Sequence, residues 1–333
     1  MKRWPTVRSV LSSAGPARTL AGIIAGFGFL DLVLDGESTF LTVRNLRVAV
    51  QGALPVAVAA LGMTAIIAAG GIDLSAGTML GLCAVVLAAA LKAGVSPVVA
   101  ALLTVGCGAL CGALNGTLIA TLGVVPFVVT LGTLGAFQGV AKILADETTV
   151  RPATADIPDW LGRLTSIQKN ALVLGLPAGA WALLALALVV AGLLRFTVFG
   201  RHVFAIGSNG KTARLCGVAV GRTKIWVYAL GGLLTGAAGI MNFAKLNAGD
   251  PSSGLGLELE IIAAVVIGGG SLSGGRGSVF GTLTGVAIVT AIESGGFQLN
   301  WSNPVQQIAL GVIIIAAVAA DRVRARVGGS SEP

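Results

Sequence analysis

Apolar positions in this chain come in long runs, at about 19–34, 47–69, 76–91, 97–121, 126–144, 172–194, 225–246, 258–273, 277–295 and 304–320, each bounded by charges, proline or Gly/Ser clusters. A helix needs about 20 apolar residues to cross a bilayer, so the pattern predicts an all-α, polytopic membrane bundle of about ten transmembrane helices. The organisation that follows is a tail over 1–18, a membrane domain over 19–320 and a second tail over 321–333. Within the domain, residues 145–171 carry mixed charge and two prolines and read as an external loop, whereas 196–224 read as a cytoplasmic loop. The first run leads into Asp31, Asp35 and Glu37 with no A-x-A-like cleavage site, and so reads as a retained helix rather than a signal peptide.

Composition sharpens the class. The chain is 55% apolar and only 11% charged, against about 25% charged in a soluble domain, which excludes a soluble and a disordered protein. The 49 glycines suit helices whose backbones approach closely in lipid. Gly108, Gly112 and Gly116, Gly281 and Gly285, and Gly135 and Gly139 all stand at four-residue spacing, which predicts a tight bundle. A net charge of +8 fits either nucleic acid or basic cytoplasmic loops, and the location of the charges decides.

Lys2, Arg3, Arg8 and Arg18 precede the first helix with no acid among them, which places the N-terminus in the cytoplasm by the positive-inside rule. With ten crossings the stretch from Arg195 to Lys224 then falls inside, carrying six basic residues and no acid, and so do Arg322, Arg324 and Arg326. Both termini are therefore expected in the cytoplasm. An odd number of spans would put either the tail or the basic loop on the wrong side.

Candidate chemistry is sparse. The single histidine, His202, and the cysteines Cys83, Cys107, Cys111 and Cys216 form no metal-ligand spacing, and Cys107 and Cys111 read as packing residues on one helical face. Ala205-Ile-Gly-Ser-Asn-Gly-Lys-Thr212 imitates a P-loop with alanine for its first glycine, but it lies in an acid-free loop between membrane helices. It reads as a Gly/Asn turn followed by a short basic helix, with no cofactor bound by this chain. Glu258 and Glu260 diverge on a helix, and no poised acid–base pair points to an enzyme.

Asp73 is the one acid deep in the apolar first half, with Ser75 two residues on. It either caps the helix that begins near Ser75 or stands beside a substrate path. Asn115, Thr130, Thr133, Gln138 and Asn242 are uncharged polar residues inside spans, suited to hydrogen-bonding a neutral polyhydroxylated solute or to holding helices together. With acids so rare inside the spans, ion-driven transport is disfavoured, and the energy source is expected in another chain. Gly71-Ile-Asp-Leu-Ser-Ala-Gly77 and Gly269-Gly-Ser-Leu-Ser-Gly-Gly275 share G-x-x-L-S-x-G, each at a break between apolar runs. Repeated transporter halves and chance in a Gly-rich chain both account for that match.

Five blocks in order carry a resemblance: Ala69-Gly-Gly-Ile-Asp-Leu-Ser-Ala-Gly77, Asn115-Gly-Thr-Leu-Ile119, Pro126-Phe-Val-Val-Thr-Leu-Gly-Thr133, Gly200-Arg-His-Val-Phe-Ala-Ile-Gly-Ser-Asn209 and Gly268-Gly-Gly-Ser-Leu-Ser-Gly-Gly-Arg-Gly-Ser278. Together they resemble the ribose/xylose/galactose-type permeases of ABC importers, within a superfamily that includes branched-chain amino-acid permeases. The resemblance implies a type II importer-like permease, paired as a homodimer or heterodimer over two cytoplasmic ABC ATPases that bind ATP and Mg. An extracytoplasmic solute-binding protein would deliver a neutral polar solute such as a sugar. It also implies a coupling helix seated on the ATPase, in the stretch that opens at Asn209, with Ala213, Arg214, Gly217 and Lys224 resembling the family's loop pattern. Nucleoside or branched-chain amino-acid transport, and an autonomous secondary carrier, are the competing readings.

Overall fold

The computed structural model describes residues 7–35, 39–302, 304–309, 311–313, 315–316 and 319. The basic residues Lys2, Arg3, Arg322, Arg324 and Arg326 lie outside the described residues, as does part of the tenth predicted run. The described chain folds as α1 (Val7–Asp35), α2 (Val43–Ala68), α3 (Ala76–Lys92), α4 (Pro97–Leu122), α5 (Pro126–Leu144), α6 (Asp159–Arg163), α7 (Ala178–Phe196), α8 (Val198–Leu215), α9 (Val220–Leu246), α10 (Leu257–Ile267) and α11 (Val279–Gln298). Local chemistry sets many of these ends. Pro97 and Pro126 open α4 and α5 at a position where a missing N–H costs nothing. Thr42 and Ser278 accept backbone N–H groups to cap α2 and α11.

Among the described residues, seven helices are long and apolar enough to cross a membrane: α2, α4, α5, α7, α9, α11 and the Pro16–Val33 stretch of α1. Three further predicted runs correspond to shorter apolar helices, α3, α10 and Pro304–Ile313. The described residues therefore bear out the all-helical membrane bundle with seven full-length spans, and the expected count of about ten is not established by them.

The eighth run differs in kind from its prediction. Instead of one helix over 258–273, α10 has 11 residues, about 16 Å at 1.5 Å per residue, and a glycine-rich turn follows it. Ahead of α10 the chain descends in irregular turns beside α3. Gly249 lies against Val85 and Ala88, and Gly254 against Gly77 and Gly81. Non-helical backbone at this depth is tolerated because protein encloses it.

α2 and α9 form the enclosed centre of the bundle, with α4 packed closely along α9 through its glycines. Gly108, Gly112 and Gly116 face Gly236, Gly232, Tyr228 and Ile225, each pairing moving back along α9 as α4 advances, so the two helices are antiparallel. Gly281 and Gly285 likewise seat on Gly268 and Ala264 of α10. Gly135 and Gly139 of α5 face open space, so the third glycine pair makes no packing contact within the chain. Cys107 and Cys111 pack with Cys83, Met79 and Phe137 where α3, α4 and α5 meet.

The 145–171 segment folds over the end of α9. Val150 and Gly249 exchange two backbone hydrogen bonds of 2.9 Å, and Thr165 Oγ1 donates to Ala244 O at 2.8 Å.

The repeated G-x-x-L-S-x-G turns out to be one residue out of step with the structure. What the two sites share is a helix end: Gly70 (φ 77°) and Gly269 (φ 93°) each follow a helix in the left-handed conformation. Gly70 and Gly71 donate to Ile67 and Ile66, and Gly269 and Gly270 donate to Val266 and Val265, all at 2.9 Å. This is a Schellman cap twice over. After it the two segments diverge, one entering α3 within a few residues and the other continuing as a loop to Ser278.

Candidate functional site

The break between α2 and α3 gathers polar groups in the apolar interior. Asp73 is buried at 2% exposure. Its Oδ1 accepts the Ser75 backbone N–H at 2.9 Å and the Ser75 hydroxyl at 2.6 Å. These are the bonds of a side-chain-closed turn just ahead of α3, whose N-cap position is Ser75. Asn115 reaches across from α4, its Nδ2 donating to Ser75 Oγ at 2.8 Å.

The carbonyl of Ile72, freed by the break, accepts from Tyr228 OH at 3.2 Å and from Thr130 Oγ1 at 3.3 Å. Five elements thus converge on residues 72–75. Asn115 Oδ1 is buried with no hydrogen-bond partner, an open acceptor where an unmet one is costly.

Of the residues marked from sequence, the fold brings Asp73, Ser75, Asn115 and Thr130 together. Thr133 is buried one turn along α5 and bonds the Thr130 carbonyl, and Gln138 lies half-buried two turns farther. Asn242 belongs elsewhere: it donates to Ser253 Oγ at 2.8 Å and ties α9 to the irregular stretch before α10. Tyr228 was missed. It is the only tyrosine in the chain and lies in an apolar span, and that is the signal that could have marked it.

The geometry sets an expectation for Asp73. Asp73→Ala should lower stability by about 1–3 kcal/mol by leaving the buried Ser75 N–H and hydroxyl without their acceptor, whereas Asp73→Asn, which keeps an amide oxygen there, should retain most of it. Thermal unfolding in detergent, read beside uptake, checks this. Normal stability with collapsed uptake in Asp73→Asn would give the carboxylate a role beyond holding Ser75.

The second feature is the segment from Thr197 to Lys224. It is not an open loop. α8 runs to Ser208, kinks at Asn209 (φ −157°, ψ 96°) and continues as a short helix to Leu215. Asn209 caps that short helix, its Oδ1 accepting from Lys211 N at 3.1 Å and Thr212 N at 3.0 Å. Gly217 ends it with φ 84°. Gly217 N donates to Arg214 O and Val218 N to Ala213 O, both at 3.0 Å, the paired bonds of a Schellman cap. Ala213 packs inward with Ile206, Val218 and Val220. Lys211, Arg214 and Leu215 face outward, and Leu215 is 89% exposed.

The P-loop-like residues Ala205 to Ser208 are themselves helical. Lys224 lies in the second turn of α9, half-buried. α8 also touches the polar break. Gly207 lies against Ala68 at the end of α2 and against Gly275, and Gly275 N donates to Ala68 O at 2.9 Å.

Residues 46–318 match the family model described as branched-chain amino acid transport system / permease component. The chain belongs to this permease family. The resemblance carried by the five sequence blocks therefore holds. The chain is 39% identical over 301 residues to the probable ABC transporter permease protein YphD of Escherichia coli, covering 90% of this chain and 88% of that protein. It is 38% identical to the ribose import permease protein RbsC of Bacillus subtilis, over 85% of each chain. It is 34% identical to the D-allose transport system permease protein AlsC of Escherichia coli, over 91% of this chain and 90% of the other. No solved structure matches the chain.

Proposed function

We propose that this permease is the membrane-spanning subunit of an ATP-driven importer for a neutral polar solute, a monosaccharide such as ribose. A binding protein delivers the solute, and separate cytoplasmic ATPases that bind ATP and Mg drive the cycle. The observation that carries the reading is the short helix over 210–215, fixed by caps at both ends and presenting Lys211, Arg214 and the exposed Leu215 outward. A capped helix with an apolar tip flanked by cations is a preformed docking element, and its neighbour Gly207 rests on the helix end that leads into the polar break. Movement of the docking element has a direct mechanical route to Ile72 and Asp73.

The solute class is supported by the ribose and allose permeases among the relatives. Uncharged hydroxyl and amide groups around Asp73, and the open Asn115 Oδ1, fit a hydroxyl donor once the bundle opens. The branched-chain amino-acid reading keeps the support of the family description alone.

The orientation proposed is both termini and α8 in the cytoplasm of the bacterial inner membrane, with ten crossings, α3, α10 and Pro304–Ile313 being the short ones. The alternating helix directions support it. α2 and α4 run against α9, and α10 against α11, while α3 runs with α9. Ser208 is exposed, and so is the native Cys216. In a Cys216→Ser background, Ser208→Cys should react with a membrane-impermeant maleimide in inside-out vesicles and stay unlabelled in intact cells. Labelling of intact cells would overturn this orientation.

A further inference from the structure

A crevice of about 490 Å³ opens on the flank of the bundle between α1, α2, α7 and α11, far from the polar break. α1 is clasped to the bundle beside it, at its C-terminal end. There the Phe27 ring lies against Gly295 of α11. Asp31 accepts Phe40 N at 2.8 Å, and Thr39 bridges Asp31 to Gln298 of α11. Below this clasp α1 stands off α2.

The walls include Ile24 of α1, Leu46 and Ala53 of α2, Leu184 of α7 and Ala287 of α11, and no lining residue is charged. Ile24, Leu46 and Leu184 are exposed, so the crevice communicates with the surroundings. Along α2 it extends from Val43 to Ala57, about 21 Å at 1.5 Å per residue, enough to run through one leaflet of a hydrocarbon core about 30 Å thick.

Two arginines stand at the mouth. α2 has 26 residues, about 39 Å, so its first turns extend into the headgroup layer, and those turns carry Arg44 and Arg47 with no acid. On the helical wheel Arg47 borders the crevice face, next to Val43, Val50 and Leu54. Its Nε donates to Gly175 O at 3.0 Å, which leaves the terminal amino groups to take another acceptor.

We propose that this crevice binds one anionic glycerophospholipid, an acyl chain lying along α2 and the phosphate held at Arg47. An apolar slot of leaflet depth beneath a guanidinium matches that one molecule at both ends. A second protein chain would bring no phosphate to Arg47. The site does not depend on which way up the bundle sits, nor on the transported solute.

Native mass spectrometry of the full-length protein, after exchange into mixed phosphatidylglycerol and phosphatidylcholine micelles, tests it. The wild type should retain one phospholipid with about fivefold preference for phosphatidylglycerol, the scale of one basic side chain near a charged surface. Ala53→Phe, which fills the slot from α2, and Ala287→Phe, which fills it from α11, should each lose that lipid. Arg47→Gln, which keeps a donor for Gly175 O, should retain lipid without the preference. Equal lipid retention in wild type and a folded Phe variant would overturn the proposal, as would a change of oligomeric state in those variants with lipid retention unaltered. Should neither Phe variant fold, an unchanged preference in Arg47→Gln would overturn it.

Discussion

Gly112→Leu is expected to leave little folded protein in the membrane. A side chain at Gly112 would meet the Tyr228 carbonyl and, at 3.0 Å, the Gly232 Cα, all of it backbone that no rotamer change can move aside. Gly108 and Gly116 fix the same close approach one turn to either side, so α4 cannot slide to relieve the clash. Forcing apart two helices held by packing alone costs more than ordinary core overpacking, itself about 1–3 kcal/mol. It would also withdraw Asn115 from Ser75 and Tyr228 from Ile72. Gly135→Leu is the matched control, since a side chain there meets nothing within 4 Å. Membrane level and size-exclusion profile should be lost in the first variant and kept in the second. A well-folded Gly112→Leu protein would show that the α4–α9 contact is not the spine of the bundle.

The second large effect is expected at Gly217, in transport rather than folding. Nothing lies within 4 Å of a side chain there, so space is not the constraint; the backbone is, at φ 84°. A β-branched residue in that region costs about 1–3 kcal/mol, and the chain escapes the cost by unwinding the last turn of the short helix. Leu215 and Arg214 then leave their positions while the membrane helices stay packed. Gly217→Val should reach the membrane normally, yet lose ATP-dependent uptake by at least about tenfold. Gly217→Asn should keep most of it, because asparagine tolerates the left-handed region. Uptake unchanged in Gly217→Val would remove the coupling assignment for this helix.

These two glycines mark the limits of legibility. The seven full-length spans could be read because length, proline and charge report them directly, and the Asn209 turn with its following basic helix was readable from local chemistry. Which glycine pair packs was not. Gly108/Gly112 and Gly135/Gly139 look alike in sequence, and helices that are apolar on every side, facing lipid on one flank and protein on the other, carry no polar stripe to show their buried face.

The same blindness explains the polar residues. Asn115 and Asn242 are equivalent by type and depth, yet one joins Asp73 and the other ties down the stretch before α10. The break at Asp250–Gly256 stayed hidden because it reads as an ordinary loop, and the apolar run after it continues through Gly268 without a charge to stop it. The repeated glycine motif misled by one residue, since a short pattern match cannot tell a shared helix cap from a shared turn.

The central claim is that this permease opens only when a separate ATPase works its short capped helix. Purified permease should therefore be reconstituted in proteoliposomes with labelled ribose, alone and then with its ATPase, binding protein and Mg-ATP. The account predicts no uphill accumulation by the permease alone under any ion gradient, and accumulation when all components are present. Concentration of the sugar by the permease alone would contradict it.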